Sequence, residues 1–425
     1  MMNRRKFLKA FSLAASTPAW SGLAGCAATP AHGTPHVIVI GGGFGGATAA
    51  KYLRMWSEGR IAVTLIEREA HFVSCPISNL VIAGLKNMAD ITADYDKLSK
   101  RWGVRVVIRE AISIDMDKRR VHLAGGERLG FDRIVLSPGV DFMPEQVEGL
   151  AGNAERIPHA WKAGPQTKLL RRQLEAMPDG GVFALHIPKT PYRCPPGPYE
   201  RACVVAHYLR THKPRAKLLV LDSNSEIQSK KALFAHAFDG LYRKIIEYRP
   251  DSTLVSVDAK GLRAELEFDT IRGDVLNVIP PMRAGRLVDA LGIELVNGRW
   301  VDVDWLTMEA RGAPGVHVLG DATFPAPTMP KSGHIANQQA KLAAAAIIEL
   351  LAGRTPDSAP MLINTCYSFV DDRNVAHISS VHRYDAGEKT FLPVAGAGGL
   401  SAAANEAEGR YALAWAQNIR TDMLD

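Results

Sequence analysis

Two sets of residues in this chain have the types and spacing for chemistry: its cysteines and one run of glycines. Of five cysteines, Cys26 falls in an N-terminal stretch that reads as an address, which leaves Cys75, Cys194, Cys203 and Cys366 for the folded part. Cys194 follows Arg193 and stands just before a proline-started helix. A positive neighbour and a helix N-terminus both favour the thiolate, the nucleophilic form. Cys203, in Ala202-Cys203-Val204-Val205, lies on an apolar helix face and reads as a buried structural thiol. Cys75, in Ser74-Cys75-Pro76-Ile77-Ser78-Asn79, opens a segment shortly after an acidic strand end. No metal site is expected, and no Cys-x-x-Cys-His for haem attachment is present.

The glycines read as a nucleotide cradle because of what surrounds them. An apolar run, His36 to Ile40, leads into Gly41-Gly42-Gly43-Phe44-Gly45-Gly46, then a helical pattern to Trp56, then a strand from Ile61 to Ile66 ending in Glu67. Gly41 permits the tight turn, Gly43 lets backbone approach a pyrophosphate, and Gly46 allows close helix packing. Glu67, about 20 residues on, can bond an adenosine ribose.

A second strand-helix-strand unit follows: Gly181 to His186, Tyr199 to His212, and Lys217 to Leu221 closed by Asp222. Its connecting loop, Ile187 to Pro198, holds one glycine and five prolines. Each proline removes an N–H and stiffens φ, so the loop cannot present the amides that a dinucleotide's phosphates require. The topology of a second nucleotide domain is expected without its ligand. The chain should return to the first unit through Asp274 to Pro281, add a strand at Val316 to Leu319 ending in Gly320-Asp321, and form an Ala-rich helix from Gly333 to Leu351. The expected fold is α/β, with two Rossmann-like dinucleotide-binding domains and a C-terminal interface domain. Its divisions are a signal region (1–35), a discontinuous first dinucleotide-binding domain (36–150 and 273–350), a second, nucleotide-domain-like unit that has lost its ligand site (151–272), and the interface domain (351–425).

Composition sets bounds on the rest. With 47% hydrophobic and 22% charged residues, the chain is globular rather than disordered or fibrous. The net charge is +7, more than half of it from Arg4, Arg5, Lys6 and Lys9, and no aromatic-interleaved basic stripe argues for nucleic acid. Asn3-Arg4-Arg5-Lys6-Phe7-Leu8-Lys9 followed by a weakly apolar stretch reads as a twin-arginine export signal, interrupted by Pro18 and too short to span a bilayer. The expected location is periplasmic, with no transmembrane segment. Leu23-Ala24-Gly25-Cys26 also resembles a lipoprotein box, so Cys26 is either lipidated or removed.

Gly320-Asp321 resembles the second flavin motif of the disulfide-reductase fold, in which the aspartate bonds the ribityl chain of FAD. Ile134-Val135-Leu136-Ser137-Pro138-Gly139 resembles that fold's crossover motif, with Pro138 in place of the usual threonine. Four further segments resemble the flavoprotein subunit of flavocytochrome c sulfide dehydrogenase: Arg193-Cys194-Pro195-Pro196-Gly197-Pro198-Tyr199-Glu200-Arg201, Leu362-Ile363-Asn364-Thr365-Cys366-Tyr367-Ser368, Pro330-Lys331-Ser332-Gly333 and Pro158-His159-Ala160-Trp161-Lys162-Ala163-Gly164. The resemblance runs from about His36 to Trp415. It implies a redox-active disulfide between Cys194 and Cys366 beside the flavin, FAD held as a thioether through Cys75, oxidation of hydrogen sulfide to sulfur or polysulfide, and a c-type cytochrome subunit as electron acceptor. Glu200 is then a candidate for proton handling or a helix-dipole carboxylate. Lys331, near the flavin motif, is a candidate to offset charge on reduced flavin. Two other readings stand beside this one, a sulfide:quinone oxidoreductase and a noncatalytic FAD-containing sulfur-binding or electron-carrier subunit.

Overall fold

Unbroken runs of β-branched and apolar residues form strands that are covered on both faces. The computed structural model describes residues 33–425, so the twin-arginine stretch and Cys26 lie outside the described residues. The central strand β1 (His36–Ile40) has Val37, Ile38 and Val39 fully buried. It lies parallel between β2 (Ala62–Glu67) and a later strand, with β3 (Arg105–Ile108) beyond β2. That later strand is β4 (Arg133–Leu136), in register Ile38 to Ile134. Beside β4 runs Val316–Val318, also parallel, and two short antiparallel strands close the edge. This distant strand brings Gly320 and Asp321 to the same carboxyl edge as the glycine turn, where open α/β sheets bind ligands.

Helix α1 (Phe44–Trp56) follows the glycine turn and buries Ala47, Ala49, Ala50 and Leu53 completely. Its small residues let it sit close to the sheet, and burying Leu53 contributes about 1.5–3 kcal/mol. A short helix, α2 (Ser78–Ile82), follows β2 and places Asn79 and Cys75 near the second half of the molecule.

The second sheet has the order β7, β6, β5, β8, all parallel: β5 (Val182–Ile187), β6 (Lys217–Asp222), β7 (Ile246–Arg249) and β8 (Val275–Val278). Here the structure departs from the sequence reading. Val275–Val278, expected to carry the chain back to the first unit, pairs with β5 as the fourth strand of this sheet. Its four residues are all buried, Asn277 included, so no alternation of exposed and buried positions shows which sheet it joins. Helix α3 (Gly197–His212) joins β5 to β6 and is buried on almost every side.

A short helix, α4 (Lys231–His236), precedes β7, and the long helix α5 (Gly333–Leu351) packs against α1. The C-terminal part is an antiparallel sheet of β9 (Met361–Phe369), β10 (Val375–Asp385) and β11 (Thr390–Leu400), joined by α6 (Glu406–Leu424). These strands are 9, 11 and 11 residues long, although the sequence shows few long periodic runs there. Alternation is blurred in β10 because it is half-covered along most of its length. Asn405 caps α6 by accepting from the Glu408 N–H at 2.9 Å. Near the other end of α6, Asp422 takes hydrogen bonds from Tyr52 at 2.6 Å and Asn337 at 2.7 Å, tying the C-terminal part to α1 and α5.

Candidate active site

The glycine turn has the geometry of a cradle. Gly41 has φ +98°, and a Cβ there would lie 2.3 Å from the Ser137 carbonyl oxygen. At Gly46 a Cβ would lie 1.7 Å from the Gly41 carbonyl oxygen, so α1 cannot start here with any side chain at that position. In front of Gly43, by contrast, a Cβ would meet nothing within 4 Å, and the same holds at Gly139. Glu67 accepts from the Gly42 N–H at 2.6 Å and the Glu69 N–H at 3.0 Å, which fixes its carboxylate beside the turn.

Asp321 shows that this edge fits FAD. Gly320, at φ +75°, makes the turn, and its N–H is held by Gln339 at 2.7 Å. Asp321 Oδ1 is sealed from solvent and has no hydrogen-bond partner among the described residues, and burial raises its pKa. A sealed acceptor left without a donor costs about 1–3 kcal/mol. A ribityl hydroxyl is a donor of the right kind, and the open glycine turn admits the pyrophosphate. Lys331 reaches the same turn: its amine donates to the Asp321 carbonyl at 3.0 Å and to the Thr323 carbonyl, and lies 3.8 Å from the Trp300 ring centroid. Burial pushes its pKa down to about 7. The Lys331 carbonyl accepts from the Cys194 N–H at 2.9 Å, joining the flavin turn to the cysteine loop.

The corresponding end of the second sheet is filled by the chain itself. A Cβ on Gly197, at the start of α3, would meet the Trp161 ring at 2.8 Å and Cys194 Sγ at 2.9 Å. The helix N-terminus that would receive a pyrophosphate is therefore covered. Asp222, at the end of β6, is completely buried and saturated, accepting from Tyr199 at 2.7 Å, Tyr248 at 3.0 Å, and the backbone and side-chain N–H groups of Asn224 at 3.0 and 2.8 Å.

Beside this filled edge lie Cys194 and Cys366, which the structure holds as two unbonded thiols. Cys194 sits at φ +59°, a left-handed conformation that is uncommon for a residue with a side chain and marks a constrained site. Cys366, on β9, exchanges hydrogen bonds with Asn364, whose amide reaches Sγ at 3.4 Å. Contrary to the expectation that Arg193 and the helix start favour the Cys194 thiolate, burial pushes both thiols up; Arg193 and Lys230 oppose it only partly on Cys194, and both thiols also feel Glu200 and Lys230. Glu200 is buried in the first turn of α3, takes hydrogen bonds from Asn79 at 3.1 Å and the Phe369 N–H at 3.3 Å, and is raised by burial to about 7. A carboxyl with that pKa exchanges a proton near neutrality. Arg201, next along, is buried and spans Asn79, Asn277 and the His159 and Ala160 carbonyls.

Cys75 is half-buried; its sulfur accepts from the Ala163 N–H at 3.4 Å, and its carbonyl from Ser78 at 2.6 Å. Cys203 is fully buried in α3. Asn79, Arg201, Lys230 and Asn364 carried no role in the sequence reading. Asn79, Arg201 and Asn364 stand inside motif segments quoted above, where a buried polar residue was the available signal. Lys230, in Ser229-Lys230-Lys231, carries none.

Comparison with known proteins accounts for most of the described chain. Residues 167–280 match the family described as the central part of the sulfide dehydrogenase [flavocytochrome c] flavoprotein chain, and residues 358–424 match flavocytochrome c sulphide dehydrogenase, flavin-binding. Residues 35–175 match pyridine nucleotide-disulphide oxidoreductases. The flavoprotein chain of sulfide dehydrogenase [flavocytochrome c] from Chlorobaculum thiosulfatiphilum is 57% identical over 49 residues, covering 12% of this chain and 100% of that one. Mitochondrial sulfide:quinone oxidoreductase of Mus musculus is 24% identical over 315 residues, covering 68% of this chain but only 65% of the mouse protein's length. The crystal structure of the Aquifex aeolicus sulfide:quinone oxidoreductase shares the fold at a TM-score of 0.75, with 17% identity over 91% of this chain and 92% of that one. With an open dinucleotide cradle, a second nucleotide end closed by side chains and these matches, the chain is an α/β flavoprotein oxidoreductase of the two-dinucleotide-domain class, and it belongs to the family of flavocytochrome c sulfide dehydrogenase flavoprotein chains.

Proposed function

We propose that this chain oxidises hydrosulfide at a Cys194/Cys366 redox pair and passes the electrons to a c-type cytochrome. The observation that carries the reading is the meeting of half-buried Cys194, in the loop before α3, half-buried Cys366 on β9 and buried Glu200 in α3, in one cluster where a nicotinamide nucleotide would otherwise bind. In the oxidised pair the two sulfurs are bonded. Hydrosulfide attacks one of them, leaving a persulfide there and a thiolate on the other. Glu200, half-ionised near neutrality, accepts the proton that the new persulfide carries. FAD, when bound at the open cradle, supplies an acceptor for the electron pair that can release electrons singly. Gly41, Gly43, Gly46, Glu67, Gly139, Gly320 and Asp321 would hold it.

Cys75 is proposed as the site of a thioether to the flavin, supported by its place in the segment after β2 and by the Ala163 N–H that orients its sulfur. Lys331, buried at the Asp321 turn, is proposed to offset negative charge at that edge. Export to the periplasm by the twin-arginine route, with Cys26 lipidated or removed, is likewise a proposal from the sequence. A quinone is the competing acceptor, since mouse and Aquifex relatives are sulfide:quinone oxidoreductases.

Anaerobic stopped-flow mixing with sulfide tests the reading. Flavin bleaching is expected, followed by fast reoxidation on adding a c-type cytochrome. No bleaching would leave a noncatalytic carrier, and reoxidation by a quinone analogue alone would move the chain to the quinone enzymes.

A further inference from the structure

Lys230 is almost completely buried and belongs to no motif. Its backbone has φ +53°, the left-handed region, which costs a residue with a side chain roughly 1–2 kcal/mol. The side chain crosses from the start of α4 to the C-terminal sheet. Its amine donates to the Cys366 carbonyl at 2.8 Å, Ser368 Oγ at 2.7 Å and the Ala376 carbonyl at 3.0 Å. An ammonium has three N–H bonds and no acceptor, and two carbonyls and a hydroxyl satisfy all three. None of the three partners is charged; burial lowers the Lys230 pKa to about 8, so below that pH its ammonium is held in place without being neutralised by contact. The titratable groups that face it are Cys366, Glu200, Cys194 and Glu408, all groups that gain from a nearby cation when ionised.

The two cysteines do not share this charge equally. Lys230 bonds the backbone of Cys366 itself, and Asn364 donates to the Cys366 sulfur. Cys194 Sγ lies against Gly197 near the Trp161 ring, with no side-chain hydrogen bond to it among the described residues. We infer that Lys230 is a positioning residue that fixes a positive charge beside Cys366, so that Cys366 is the sulfur released as thiolate and Cys194 the sulfur that carries the persulfide. The inference rests on the sulfide reading above and deepens it. Hydrosulfide sulfur bonds to Cys194 Sγ as the Sγ–Sγ bond breaks. The bonding pair leaves on Cys366, and the proton stays on the terminal persulfide sulfur until Glu200 takes it. The better-stabilised thiolate is the faster leaving group, which sets the direction. The directions of the pKa shifts agree: on Cys366 the cation of Lys230 is the largest influence opposing burial, whereas on Cys194 Arg193 is the larger opposing cation and Lys230 comes last.

Two measurements test this. In reduced holoprotein, the pH dependence of iodoacetamide labelling, resolved by peptide mass, gives an apparent midpoint for each cysteine. An opposite charge nearby lowers a pKa by about 1–3 units, so Lys230→Met should cut the Cys366 thiolate fraction below its midpoint by roughly tenfold or more. Lys230→Arg should restore it, and Cys194 should move less. An unmoved Cys366 midpoint, or an equal shift at both, would overturn the charge placement. The second measurement needs no variant. Wild-type holoprotein given less than one equivalent of sulfide, then alkylated, should carry the extra sulfur on the Cys194 peptide. Extra sulfur on Cys366 overturns the leaving-group assignment. Extra sulfur on neither peptide overturns the sulfide reading itself, whereas the labelling midpoints judge Lys230 independently of it.

Discussion

The two parallel sheets end in acidic residues that occupy opposite states. At the first, Asp321 has a sealed oxygen with no partner among the described residues, and space opens in front of Gly43. At the second, Asp222 is saturated by Tyr199, Tyr248 and Asn224, and Trp161 and Cys194 crowd the helix start. Both ends arise from the same strand-helix-strand topology. What distinguishes them is whether the chain supplies the hydrogen-bond partners itself, and a nucleotide site persists only where it does not. The second end, relieved of a ligand, is free to hold a pair of cysteines.

The largest expected effect tests whether the filled end is the reactive one. Cys194→Ser or Cys366→Ser should slow sulfide-dependent flavin reduction by at least about a thousandfold in stopped flow, while flavin content stays unchanged. Undiminished reduction in either variant would remove the pair from the reaction.

The open end breaks differently. Gly46→Ala forces a Cβ onto the Gly41 carbonyl, so backbone must move. Flavin content should collapse, and thermal or denaturant unfolding should show a loss of about 1–3 kcal/mol. Cys75→Ser, by contrast, should leave the fold and flavin binding intact but send the flavin into the supernatant on acid denaturation. If wild-type flavin is already acid-extractable, the thioether is absent.

A smaller effect concerns Glu200. If its carboxylate accepts the proton, the rate of sulfide oxidation rises with pH through about 7, and Glu200→Gln flattens that limb with a loss of about a hundredfold. The same shift acts on stability. Because burial raises the folded pKa above 4.5, the folded chain keeps this proton longer than the unfolded one, and the associated stability is present below 4.5 and lost as pH rises to about 7. Denaturant midpoints of wild type and Glu200→Gln across that window check the sign. The smallest expected effect is none at all: NADH and NADPH should not bleach the flavin, and rapid bleaching would show that the second end still admits a nicotinamide nucleotide.

Much of the site was legible because its signals are local. Gly41 and Gly46 announce a backbone that side chains would block, Glu67 follows at the spacing set by one helix and one strand, and the five prolines between Ile187 and Pro198 remove donors whatever the surroundings. The strand Val275–Val278 misled because a fully buried run lacks the alternation that would show which sheet it faces.

The residue types along the chain thus determined by themselves where the backbone turns, where amides are available and which segments carry thiols. Tertiary structure alone decided the partners: that Asp222 is satisfied and Asp321 is not, that Asn79 from α2 meets Glu200 from α3, and that Lys230 reaches the backbone of Cys366. The physical reason is range. Turn geometry and donor loss are properties of a few consecutive residues, whereas the burial and charge that tune a thiol or a carboxyl depend on side chains brought together from distant parts of the chain.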